Sequence, residues 1–108
     1  MFHIERMENP RGLRLQGELD LASKEAFADA LRSLTGEDGD ITLDLSDLTF
    51  IDSTGIQALI KAAENLQEEA RLILHAPGKT VLRVFDLMRM DTVPRVEIST
   101  GMPDDERT

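Results

Sequence analysis

Between Ile41 and Leu66 the apolar residues change period, and four small residues mark where. Ile41, Leu43 and Leu45 alternate with polar neighbours, the period of a half-buried strand. Ile56, Leu59, Ile60, Ala63 and Leu66 recur in three- and four-residue steps, the period of one helix face. Asp52-Ser53-Thr54-Gly55 lies between the two patterns. A serine hydroxyl is thereby set at a helix N-terminus, where backbone N–H groups are unpaired and the dipole favours negative charge. Thr54 with Gln57 three residues on fits a capping box. Ser53 then lies just outside the helix or is its cap.

The rest of the chain repeats the alternation of strand and helix. Phe2 and Ile4, then Leu13 and Leu15, read as a strand pair around the turn Asn9-Pro10-Arg11-Gly12, with Gly17 ending the second strand. Ala22, Ala26, Phe27, Ala30, Leu31 and Leu34 mark a first helix, capped by Asp20 or Ser23 and ended before Gly36. Residues 36–40 read as a polar loop. Arg71 to His75 is a short buried strand, broken by Pro77-Gly78. Val81, Val84, Phe85 and Met88 mark a third helix capped by Thr80, and 95–98 a last strand. The order β-β-α-β-α-β-α-β predicts an α/β fold. Its sheet is mixed, an N-terminal hairpin followed by βαβαβ, with the helices packed mainly on one face. One domain spans 1–100, and 101–108 is a disordered acidic tail.

Charge and composition narrow the function. The formal charge of −9, from 21 acids and 12 bases, disfavours nucleic acid and anionic membrane as partners. No apolar run approaches the ~20 residues of a membrane span. Charge appears by Glu5, too early for an apolar signal core. With no cysteine there is no disulfide framework and no thiolate metal site. These features predict a cytoplasmic protein. His3 and His75 have no ligand partners at metal spacing, so no metal is expected. Gly78-Lys79-Thr80 resembles the end of a P-loop, but position 73 is Ile where that motif needs Gly, so no nucleotide cofactor is expected. No histidine stands in a triad pattern with Ser53, so no catalytic residue is assigned and the chain is not read as an enzyme. Met88, Met90 and Met102 read as core filler or tail.

The segment Asp44-Leu45-Ser46-Asp47-Leu48-Thr49-Phe50-Ile51-Asp52-Ser53-Thr54-Gly55-Ile56 resembles the STAS domain of bacterial anti-sigma factor antagonists. Gly17-Glu18-Leu19-Asp20 followed by Ser23 resembles a second element of that family, and the similarity runs from about Gly12 to Phe85. The resemblance implies that Ser53 is the residue a partner kinase phosphorylates. It implies a docking rim of Asp52, Thr54, Gly55 and Ile56, with Asp20 and Leu21 across it. The implied partner is an anti-sigma factor of the serine-kinase type, bound while Ser53 is unphosphorylated, so that a sigma factor is released. A phosphatase would reset the switch, and the free protein would be a monomer or weak dimer. The alternative is a constitutive scaffold subunit of a larger signalling or lipid-transport complex, with Ser53 only a helix cap. One departure stands out. Where many members carry Gly after the third helix, in a segment like Phe-Asp-(Leu/Met)-x-Gly, this chain has Arg89.

Overall fold

A computed structural model describes residues 1–34, 39–67 and 69–100. The expectations for Gly36 to Asp38, for Met102 and for the tail 101–108 lie outside the described residues. The elements are β1 (His3–Glu8), β2 (Arg11–Leu19), α1 (Lys24–Arg32), β3 (Ile41–Ile51), α2 (Ser53–Glu64), β4 (Leu72–His75), α3 (Lys79–Leu87) and β5 (Val96–Ser99). A short 3-10 turn, Met90–Thr92, precedes β5. The five strands lie in the order β1-β2-β3-β4-β5. β1 pairs antiparallel with β2, closing the hairpin at Asn9–Pro10, whose peptide bond is cis. Every later pairing is parallel.

This topology explains the layering. Each step from β2 to β5 moves one strand further across the sheet. Right-handed crossovers made always in the same direction put every connecting helix on the same face. The register agrees: Leu13 sits beside Leu43, Leu43 beside Leu74, and Ile41 beside Leu72, all buried on one side. Phe27 and Leu31 of α1, Ile56 and Leu59 of α2, and Val81 and Phe85 of α3 cover them. The opposite face carries Arg14, Gln16, Asp44, His75 and Glu97. Here Arg14 donates to Asp47 at 2.7 Å, and His75 Nδ1 meets Ser99 Oγ at 3.2 Å.

Two strands run further than their alternation suggests. β3 continues to Ile51 rather than ending near Leu45. The β2–β3 register slips between Arg14 and Gln16 and again between Gly17 and Glu18. Each slip places an extra β3 residue against β2, so inward positions become Leu45, Leu48 and Ile51 at three-residue steps. Asp44 stabilises the first irregularity by accepting the Ser46 N–H at 3.0 Å. Gly17 does not end β2. It sits inside the strand at φ +93, the backbone the second slip requires, and the strand runs on to Leu19.

Candidate functional site

The site is built on the carboxyl ends of β2 and β3. Leu19 and Ile51 are paired, so Asp20 and Asp52 are the next residues on neighbouring strands. Asp52 has an extended backbone (φ −113, ψ −172) and its Oδ1 accepts the Gly55 N–H at 3.0 Å. Its carbonyl accepts from Ile56 at 2.9 Å, and its own N–H reaches Leu19 O at 3.4 Å. Asp52 is therefore the cap of α2, which corrects the expectation that Ser53 or Thr54 fills that place. A carboxylate outcompetes the hydroxyls because it accepts strongly and its charge complements the helix dipole. Ser53 is the first residue of the helix and is exposed, and its hydroxyl makes no hydrogen bond to another described residue.

Asp20 and Ser23 hold the facing turn. Ser23 Oγ accepts the Asp20 N–H at 2.9 Å and donates to Glu18 O at 2.9 Å. Asp20 Oδ1 accepts the Ser23 N–H at 3.2 Å. Ser23 occupies the N-cap position of α1 with no side-chain capping bond, so this pair ties the strand-to-helix turn rather than capping the helix. Likewise Gly78, not Thr80, stands at the start of α3. Within the tied turn, Leu21 is 69% exposed.

The predicted rim residues thus fall into two layers. Asp20, Leu21, Asp52, Ser53 and Thr54 reach the surface in whole or part. Gly55 and Ile56 are buried and support the rim from below. Sequence reasoning missed Phe50, which is 46% exposed and pairs with Glu18. It lies in the part of β3 beyond Leu45, and the second register slip turns it outward. With Leu21 it gives the rim apolar surface beside two carboxylates.

Among the described residues no group of three His, Asp or Glu is placed to hold a metal ion, and no helix is long and apolar enough to cross a membrane. The rim's exposed hydroxyl is that of Ser53.

A mixed sheet with helices on one face, and a serine opening a helix next to the strand-end carboxylate of Asp52, fit a STAS-type domain. Residues 2–98 match the family model described as "Mlab, STAS domain", and the chain belongs to that family. Solved structures agree. The anti-sigma factor antagonist SpoIIAA in its unphosphorylated form is 25% identical, with 93% of this chain and 89% of that chain covered and a TM-score of 0.69. An anti-sigma factor antagonist from Mycobacterium paratuberculosis is 23% identical, with 96% and 88% covered and a TM-score of 0.78. A putative anti-sigma factor antagonist from Thermotoga maritima is 22% identical, with 92% and 86% covered and a TM-score of 0.67. No curated protein matches the chain at a significant level.

Proposed function

We propose that this protein is an anti-sigma factor antagonist that binds an anti-sigma factor of the serine-kinase type and is released by phosphorylation of Ser53. One observation carries the reading. Ser53 opens α2 exposed and without a hydrogen-bond partner among the described residues, because Asp52 caps the helix in its place. The fold has no use for the hydroxyl, so modifying it costs the fold nothing.

The consequence for a partner is different. A phosphate carries about −1.5 to −2 charges at neutral pH. The N-terminal dipole of α2 offsets part of that charge inside the protein. Asp20 and Asp52 at the neighbouring strand ends add to it. A partner seated over Leu21, Phe50 and Ser53 would have to bury an unpaired charge, which costs roughly 2–5 kcal/mol. That is about 30-fold to several thousand-fold in affinity. The protein is then a ligand and a substrate rather than a catalyst. It acts in the cytoplasm as one domain, and a phosphatase resets it.

The test compares wild type, Ser53→Ala and Ser53→Asp as baits in lysate of the source organism. The expected result is a kinase-type protein captured by the first two baits and absent from the third. Adding ATP to the captured wild-type complex should release the bait with one phosphate on Ser53. Equal capture by all three would overturn the switch and leave a constitutive subunit.

A further inference from the structure

The described lining of the groove between α1 and α2 is cationic, opposite in sign to the chain that forms it. It has a volume of about 620 Å³. Among the described residues the charged ones that line it are Lys24, Arg32 and Lys61, with no carboxylate, although the chain has 21 acids against 12 bases. Arg32 is bonded to Asp29. Lys24 and Lys61 carry no ion pair among the described residues.

The cations stand at two levels. Lys24 opens α1 and shares the cavity with Thr54, in the first turn of α2. Lys61 and Arg32 lie in the last turns of the same two helices. Thr54 and Lys61 are seven residues apart, about 10 Å along the axis. Between the levels the groove is lined by the small side chains Ala28, exposed, and Ala58, half-buried.

This spacing selects among anions. A single-headed amphiphile would satisfy one level and leave the other lysine unused. Nucleic acid would meet repulsion from the rest of a strongly acidic surface. A helix with carboxylates seven residues apart presents them on one face, two turns and about 10 Å from each other. An apolar side chain three or four residues along then points the same way, into the stretch lined by Ala28 and Ala58. Small residues there let a third helix approach to the usual 8–10 Å. We propose that the α1–α2 groove docks an acidic amphipathic helix of a partner protein, with carboxylates over Lys24 and Lys61 and an apolar side chain on Ala28 and Ala58.

The probe is a pair of capped synthetic helical peptides with one Leu on the docking face. They differ only in carrying Glu or Lys at two positions seven residues apart. Each is titrated into the ¹⁵N-labelled full chain at low salt, and amide shifts are followed. The Glu peptide should shift residues 24–32 and 54–65 with a Kd below about 1 mM. The Lys peptide should bind at least about tenfold more weakly. The double variant Lys24→Glu, Lys61→Glu, checked for an unchanged melting temperature, should reverse the preference. A second variant, Ala58→Trp, should block the Glu peptide with both lysines intact. Equal binding of the two peptides, no saturable shift, or shifts confined to residues outside α1 and α2 would each overturn the proposal. So would saturation of the groove by decanoate where the Glu peptide leaves it untouched.

Discussion

The carbonyl oxygen of Leu19 stands 2.4 Å from where a Cβ on Gly55 would lie, and Ile51 Cγ1 stands 2.6 Å from it. The end of β2 is pressed onto the first turn of α2, and only a residue without a side chain permits that approach. The same Leu19 carbonyl receives the Asp52 N–H. One backbone group thus sets the distance between the two halves of the rim.

Gly55→Ala therefore forces backbone rather than a flexible side chain to move. The expected loss is about 1–3 kcal/mol of stability, or roughly 5–15 °C in melting temperature. Thermal unfolding by circular dichroism reads it directly. An unchanged melting temperature would mean that the strand end yields freely.

Asp52 and Ser53 separate cleanly in stability measurements. Asp52→Ala removes the cap and should cost about 1 kcal/mol, whereas Asp52→Asn should be close to neutral. Ser53→Ala should leave stability unchanged, since the hydroxyl makes no bond within the described fold. Ser53→Asp adds a carboxylate to a first turn that has none and should stabilise by roughly 0.3–1 kcal/mol. Urea midpoints at constant m-value rank the four variants. A destabilised Ser53→Ala would return the serine to a capping role.

Arg89 follows α3 in the left-handed backbone region, at φ 55 and ψ 43. It occupies the place where the family resemblance implies Gly. The chain keeps the backbone turn without the residue that adopts it most easily. Relief of that strain outweighs the extra freedom of an unfolded glycine, so Arg89→Gly should stabilise by about 0.5–1 kcal/mol. Chemical denaturation decides the sign, and a loss would show that the Arg89 side chain contributes packing.

The Arg14–Asp47 pair on the open sheet face makes a pH-dependent contribution. The hydrogen bond from Arg14, then that from Gln16, holds the Asp47 carboxyl below its ordinary value. A carboxylate depressed in the folded state stabilises fully above about pH 4, and that share is lost as the pH falls through the folded value. The side chains are 40% and 43% exposed, so salt should weaken the effect. Asp47→Asn should flatten the acid limb of stability against pH and converge with wild type once the folded carboxyl is protonated. Parallel acid limbs would show that the pair contributes nothing measurable.

Local pattern was enough for the element order. The switch from alternation to helical spacing around residue 52 marks a strand feeding a helix, and three such units imply parallel strands with their helices on one side. The hairpin, the buried faces of α2 and α3, and the helix start at Ser53 could all be read that way. In each case the information lies in neighbours within one or two turns of chain. The boundaries that went astray share another cause. β3 appeared to stop at Leu45 because its inward residues come at three-residue steps beyond that point. Those steps are periodic only against β2, whose register slips twice.

What the sequence alone determined is therefore the α/β order, the apolar faces and the placing of a serine at the start of a helix. Which residue caps that helix was decided in three dimensions. Ser53, Thr54 and Asp52 are all competent caps by type, and the choice depends on where β3 ends and how Asp52 turns to reach the Gly55 N–H. The exposure of Phe50 and the pairing of Asp20 with Ser23 were also settled by tertiary structure, as was the cationic groove between α1 and α2. Each depends on contacts or backbone geometry that no period in a single segment encodes. Strand register and helix packing convert distant residues into neighbours, and that conversion leaves the cap to Asp52 and Ser53 exposed beside it.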